Sequence, residues 1–225
     1  MPGTVILDVD GTLLDSNDAH AASWVDTLGE AGLAVPYERL RLMIGMGGDK
    51  LLPTATGIEI DSAEGKRLAS RRKEIFHARY LPTLRALPGA RALLERLRAD
   101  GRELVIATSA QGEELAAMLR QTGLDGLFDE QTSSSDADRS KPDPDIVVAA
   151  LERSRAEPHE CLMIGDTPYD VEAALRAGVP IIGVRSGGWT AEELAGALEV
   201  WDGPADLLEH FERSALARAV PANAA

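Results

Sequence analysis

Four short runs of uninterrupted apolar residues punctuate the chain: Val5-Ile6-Leu7, Leu104-Val105-Ile106-Ala107, Leu162-Met163-Ile164 and Ile181-Ile182-Gly183-Val184. A strand with one face in water alternates apolar and polar side chains, whereas a strand covered on both faces reads as a continuous apolar run. These four therefore predict buried parallel strands, and Phe128 to Gln131 offers a weaker fifth. Between the runs the apolar spacing lengthens to that of a helix. Leu93, Leu94 and Leu97 share one face, as do Leu115, Met118 and Leu119, then Ile146, Val147, Ala150 and Leu151, then Val171, Ala174 and Leu175. Gly101, Gly123 and Gly178 stand where three of these helices should stop. Strand and helix in alternation predict an α/β fold, a doubly wound parallel sheet.

One interval breaks the rhythm. About ninety residues separate the first apolar run from the second, far more than the dozen or so that a crossover needs. Residues 17–82 read as helices, with Trp24, Leu28 and Ala31 on one face, Leu40, Met43 and Ile44 on another, and Leu68, Ile75 and Phe76 along a third, longer helix. The expected organisation is an α/β core of residues 1–16 and 83–213 carrying an all-helical cap, 17–82, on linkers near Leu14–Ser16 and Leu81–Pro88. The alanine-rich stretch 214–225 is expected to be a disordered tail.

Composition narrows the classes. The 225 residues suffice for a sizeable core. No apolar stretch is long enough to span a bilayer and no basic-then-apolar leader opens the chain, so a cytoplasmic protein without a membrane partner is expected. Cys161 is the sole cysteine, which rules out an internal disulfide and fits a reducing compartment. A formal charge of −14 argues against a nucleic-acid partner. It does not argue against a small phosphorylated ligand, because a divalent cation and one or two basic groups reverse the sign locally.

Polar residues follow the strands. Asp8 ends the first, Thr108 and Ser109 the second, and Asp166 the one after Cys161. In an open parallel sheet ligands bind at the carboxyl edge of the strands, so distant parts of the chain deliver polar groups to one place. Asp8, Asp166 and Asp170 offer hard oxygen ligands suited to Mg²⁺. Lys141 is a basic residue just ahead of a helix, and the hydroxyls of Thr108 and Ser109 with the amides of the following turn can cradle an anion. A cation, a lysine and a nest of donors describe a site for phosphoryl transfer, which depends on positioning and charge neutralisation.

Four motifs stand in order: Asp8-Val9-Asp10-Gly11-Thr12, Thr108-Ser109, Ser140-Lys141-Pro142-Asp143 and Gly165-Asp166-Thr167-Pro168-Tyr169-Asp170. With the helical insertion between the first two, the chain resembles the haloacid dehalogenase superfamily, on its phosphatase and phosphomutase side, from Val5 to about Leu208. The resemblance implies that Asp8 is the nucleophile that forms an aspartyl-phosphate. It implies that Asp10 protonates the leaving alcohol and then activates water, with a pKa raised by burial, and ligates Mg²⁺ through its carbonyl. Thr108 and Lys141 would hold the transferring oxygens, Asp166 would complete the metal site, and Asp170 would be a ligand or lie behind one. Gly11 would let the backbone approach the phosphate.

The implied function is a Mg²⁺-dependent phosphatase of a small phosphorylated metabolite, as a monomer or small homo-oligomer. The alternative is a beta-phosphoglucomutase-like sugar phosphomutase. That branch shares a histidine at His20, but the cap lysine it uses, counted back from Pro88-Gly89, falls on Phe76, with Lys73 and Arg79 only as neighbours. A receiver-type phosphoacceptor also clusters aspartates and a lysine at such a sheet edge, but has no use for the insertion or for Asp10. Within the cap, His20 is expected either to couple closure to Asp10 or to lie on the helix surface. The glycine cluster of residues 44–50, with Gly47, Lys50 and Arg41, is expected to reach the substrate or to form a plain turn. Residues 186–190 border the pocket or start a helix. His77, His159 and His210 read as surface residues and Trp201 as packing.

Overall fold

The computed structural model describes residues 3–218. Six strands form one parallel sheet: β1 (Thr4–Leu7), β2 (Glu103–Ala107), β3 (Glu130–Thr132), β4 (Cys161–Gly165), β5 (Ile181–Val184) and β6 (Glu199–Trp201). Their order is β3-β2-β1-β4-β5-β6, so the chain leaves β1 in both directions and the switch point falls between β1 and its neighbours. Pairing puts Leu7 beside Ile106 on one side and Ile164 on the other, which brings the ends of β1, β2 and β4 level.

The pleat divides the central strands between two cores. Val5, Leu7, Leu104, Ile106, Leu162 and Ile164 point to one face, where they meet the leucines of α5 (Ala90–Ala99) and α6 (Gly112–Thr122) and, further along, α9 (Pro204–Glu209). Ile6, Val105, Ala107 and Met163 point to the other, against α7 (Asp145–Ser154) and α8 (Pro168–Arg176). Both faces are covered, which is why these strands carry no polar alternation.

Residues between β1 and β2 build α1 (Asn17–Glu30), α2 (Tyr37–Arg41), α3 (Gly48–Thr56) and α4 (Ala63–Ile75) around a third core of Trp24, Leu28, Leu40, Leu51, Leu52 and Leu68. Ser62 caps α4 by accepting the Gly65 N–H at 2.9 Å. The chain then passes through a π-helical turn, Phe76–Tyr80, and Phe76 packs into the core beneath the sheet edge.

Several expectations shift. The third strand is Glu130–Thr132 rather than Phe128 to Gln131, and β6 forms where only packing by Trp201 was expected. The second insert helix ends at Arg41, ahead of Met43 and Ile44, and the glycine cluster opens α3 rather than staying a loop. Leu175 is 53 % exposed although it completes the apolar stripe of α8. The C-terminal stretch packs further than expected, with Ser214 and Leu216 fully buried. The remainder of the expected tail, residues 219–225, lies outside the described residues.

Candidate active site

The Asp8 N–H donates to the Ile164 carbonyl at 3.0 Å, which extends the ladder one residue past β1 and fixes where the carboxylate emerges. Asp166 follows β4 directly and Thr108 follows β2. Gly11, at φ +77°, turns the chain back over this edge. A Cβ there would lie 2.2 Å from Asp166 Oδ2, so the close approach needs glycine on both counts. Thr12 Oγ1 lies 3.2 Å from Asp8 Oδ2 and 3.3 Å from Asp166 Oδ1, holding the two carboxylates in register.

Lys141 reaches this point from the loop before α7 and is fully buried. Its Nζ is 2.6 Å from Asp8 Oδ1 and 2.7 Å from Asp170 Oδ1. The other Asp170 oxygen accepts the Thr167 N–H at 3.0 Å and its hydroxyl at 2.6 Å, while the Asp170 N–H donates to Thr167 Oγ1 at 3.1 Å. This reciprocal cap builds the first turn of α8 and aims Asp170 at the lysine. Asn17, at the start of α1, donates Nδ2 to Asp166 Oδ2 at 2.9 Å. Gly187 closes over Asp166 so tightly that a Cβ would fall 1.6 Å from Oδ2, and Ser186 Oγ donates to the Gly11 carbonyl at 2.6 Å. Of residues 186–190, Ser186 and Gly187 therefore pack against the carboxylate cluster, in a 3-10 turn of Arg185–Gly187, and none of the five is on the wall of the cavity between the insert and the sheet edge.

Three buried carboxylates thus cluster beside one ammonium, which pairs with two of them, and their charges do not balance. Burial, helped by Asp170 and Asp10, outweighs the pull of Lys141 and leaves the Asp8 carboxyl raised to about 7. Asp166 is driven well above the carboxylate range by burial and by Asp8 and Asp170, against Asn17 and Lys141. Burial would lower the Lys141 ammonium, but Asp170 and Asp8 raise it on balance, so it stays charged. Oxygens of Asp8, Asp166 and Asp170 all lie within 4.8 Å of one another. A buried, oxygen-only donor set with surplus negative charge fits a hard divalent cation such as Mg²⁺.

Asp10 faces the other way. Its Oδ1 accepts Ser16 Oγ–H at 2.5 Å and lies 2.8 Å from His20 Nε2. Arg72 Nη2 contacts His20 Nδ1. Arginine only donates, so Nδ1 accepts and Nε2 carries the hydrogen towards Asp10. Arg72 Nη1 in turn binds both oxygens of Glu114, at 2.7 and 2.8 Å, tying α4 to α6. His20 stacks on Phe76 with ring centroids 4.5 Å apart. Burial would raise the Asp10 carboxyl, but His20, Ser16 and the Arg72 charge bring it down to about 2. The expected upward shift at Asp10 is therefore reversed, because the groups that act on it against burial are donors and a cation.

A cavity of about 430 Å³ lies between the insert and the sheet edge, and Asp8, Asp10, His20, Thr108, Ser109 and Gly47 are on its wall. Thr108 Oγ1 accepts the Ala110 N–H at 3.1 Å, which shapes the turn ahead of α6, and Ser109 Oγ donates to the Gly45 carbonyl at 3.3 Å. Gly47 donates its N–H to Ser140 Oγ at 3.0 Å. Two expected cap cations are engaged elsewhere. Lys50 binds the Ser140 carbonyl at 2.5 Å and Asp143 at 2.6 Å, and Arg41 binds Asp18 at 2.6 Å and the Gly187 carbonyl at 2.7 Å. His77 is half-buried against Phe76 and His210 stacks on Trp201, while His159 is exposed. Sequence reasoning passed over Asn17, Ser16, Arg72 and Glu114, which no motif or period marks. Gly187 did carry a signal, in its position just past a strand's carboxyl end.

The family model described as haloacid dehalogenase-like hydrolase matches residues 5–184. Over 219 residues, 92 % of this chain and 90 % of the relative, the sequence is 36 % identical to a phosphoglycolate phosphatase of Rhodospirillum rubrum. It is 27 % identical over 186 residues, 80 % of this chain and 95 % of the relative, to the fructose-1-phosphate phosphatase YqaB of Escherichia coli. The crystal structure of a hydrolase from Pseudomonas syringae superposes with a TM-score of 0.86 at 35 % identity, covering 94 % of this chain and 98 % of that one.

Proposed function

Since the chain belongs to the haloacid dehalogenase-like hydrolases and is one of their phosphatases, we propose that it hydrolyses a small phosphate monoester through an aspartyl-phosphate on Asp8. The observation that supports this most directly is the Asp8 carboxylate, which lines a 430 Å³ cavity and is paired at 2.6 Å with a fully buried lysine behind it. An Asp8 oxygen attacks phosphorus, the bond from phosphorus to the ester oxygen breaks, and the departing alkoxide takes a proton from Asp10. Water then gives a proton to the Asp10 carboxylate and attacks the same phosphorus, which frees Asp8 and inorganic phosphate.

Asp8, Asp166 and Asp170 are the residues that would hold Mg²⁺. When bound, the ion would offset the negative charge of the phosphoryl oxygens. Lys141 orients Asp8 and opposes the burial that raises its carboxyl. Thr12 and Asn17 hold Asp166. Asp10, held near 2 by His20, Ser16 and Arg72, carries the charge that the hydrolytic half needs. It must hold a proton in the ester-cleaving half, and the water consumed in the hydrolytic half supplies one.

The sugar phosphomutase alternative requires a seat in the insert for a second phosphoryl group. The position where that branch uses lysine is Phe76, a buried ring packed on His20, and this disfavours it. The test is Mg²⁺-dependent release of phosphate from p-nitrophenyl phosphate, with an acid quench to trap the acyl-phosphate. Turnover and trapped label are expected to vanish in Asp8→Asn. An Asp8→Asn protein that retains turnover, or isomer formation in place of free phosphate from a sugar monophosphate plus its bisphosphate, would overturn the reading.

A further inference from the structure

We infer that the cavity selects phosphate monoesters whose alcohol half carries no second anionic group. This rests on the phosphatase reading and narrows its substrate class.

Opposite Asp8 the insert presents Trp24, Ile44, Met46, Leu51, Ile60 and Ala69 to the cavity. Arg72 and Lys73 are the cationic side chains among the described residues lining it. Arg72 is already spent. Its Nη1 is on both Glu114 oxygens, Nη2 is on His20, Nε is on Ser23 Oγ at 3.1 Å, and the guanidinium covers the Phe76 ring at 4.6 Å. Its side chain and that of Glu114 are only 13 % and 6 % exposed. Turning Arg72 towards a substrate would strand a buried carboxylate and undo the support of Asp10. Lys73 sits at the rim and is paired with the exposed Glu113 at 2.6 Å. Lys50 and Arg41, the other nearby cations, bind core carbonyls and acids.

The cavity also carries negative charge, from both the insert and the core side. Asp49, Asp61 and Asp138 line the cavity, and none forms an ion pair with a described residue. The phosphate end of a substrate would face Asp8, behind which stand Lys141 and the carboxylates that would hold the cation. A carboxylate or second phosphate at the other end would meet apolar surface and like charge, and among the described lining residues the one cation not held by buried partners is Lys73, which it would share with Glu113. Carbon and hydroxyl groups suffer neither penalty, and Ser109 and Gln111 on the polar side can serve hydroxyls. A likeness to a phosphoglycolate phosphatase therefore does not carry that protein's anionic substrate across.

The test compares 2-phosphoglycolate with 2-hydroxyethyl phosphate, the same skeleton with a neutral alcohol in place of the carboxylate, under saturating Mg²⁺. The kcat/KM for the neutral ester is expected to exceed that for phosphoglycolate by about tenfold or more, and the gap should narrow as salt is added. The ratio should move towards phosphoglycolate by about tenfold in Asp61→Lys, a comparison insensitive to how much of the variant is active. Equal or better turnover of phosphoglycolate by the parent protein, or an unmoved ratio in the variant, overturns the inference. Hydrolysis of p-nitrophenyl phosphate is measured alongside, and its absence together with that of both esters would instead remove the phosphatase reading on which the inference stands.

Discussion

Replacing Lys141 by methionine keeps most of the stem that fills the space under Asp8 and removes its charge. At separations of 2.6 and 2.7 Å, and an effective dielectric near 20, each of its two carboxylate contacts has a gross attraction of about 6 kcal/mol. Much of this offsets the cost of burying the ammonium, so the net effect is that of breaking a buried ion pair, about 3–5 kcal/mol. For a chain of 225 residues that lowers Tm by roughly 6–20 °C. The sign with pH follows from the carboxyls left behind. Without Lys141 they hold their protons to higher pH, so the folded variant binds more protons than the unfolded chain over a wider window. Its deficit should then grow as pH rises and shrink towards pH 5. Saturating Mg²⁺ should restore part of the loss, because it supplies positive charge to the same oxygens. Urea denaturation of parent and variant at pH 5 and pH 8, with Mg²⁺ and with EDTA, measures all of this. A variant within about 1 kcal/mol of the parent at pH 8 in EDTA would show that the ammonium does not neutralise the cluster.

Three further outcomes are expected. Gly187→Ala, whose Cβ would fall 1.6 Å from Asp166 Oδ2, should displace that carboxylate and raise the Mg²⁺ concentration for half-maximal activity by about tenfold or more; an unchanged Mg²⁺ titration would contradict the packing. Because Asp8 is pushed up to about 7 from 3.8 and Asp166 shifts the same way, stability in EDTA should fall as pH rises from about 4 to 7. Mg²⁺ binding at pH 6 should also release at least about one proton per ion, read from calorimetry in two buffers of different ionisation enthalpy, and no release would refute the shift. Cys161, fully buried with its thiol pushed up to about 12, should react with a thiol reagent at neutral pH only at the rate of global unfolding; fast stoichiometric labelling of the folded protein would disprove this.

The amino-acid order alone determined the parts that depend on local pattern. β1, β2, β4 and β5 announce themselves because a strand covered on both faces has no reason to alternate. Asp8, Thr108 and Asp166 are placed by simply following those strands to their carboxyl ends, and Lys141 by the order of the motifs. Short or interrupted elements left no such mark. β6 is three half-buried residues at a sheet edge, and α3 begins on glycine and contains Pro53. Tertiary structure alone decided the contacts that set charge. Asn17 lies 149 residues from Asp166 and Arg72 lies 52 from His20, so no periodicity could pair them. The protonation of Asp10 turned on such contacts: burial by itself predicts an upward shift, and the donors folded around it reverse the sign. The same holds for the cap cations, whose charge is visible in the sequence but whose availability depends on which carboxylate the fold brings alongside. Local pattern records which side an atom faces; the electrostatic state of a buried group is a sum over neighbours that only folding assembles.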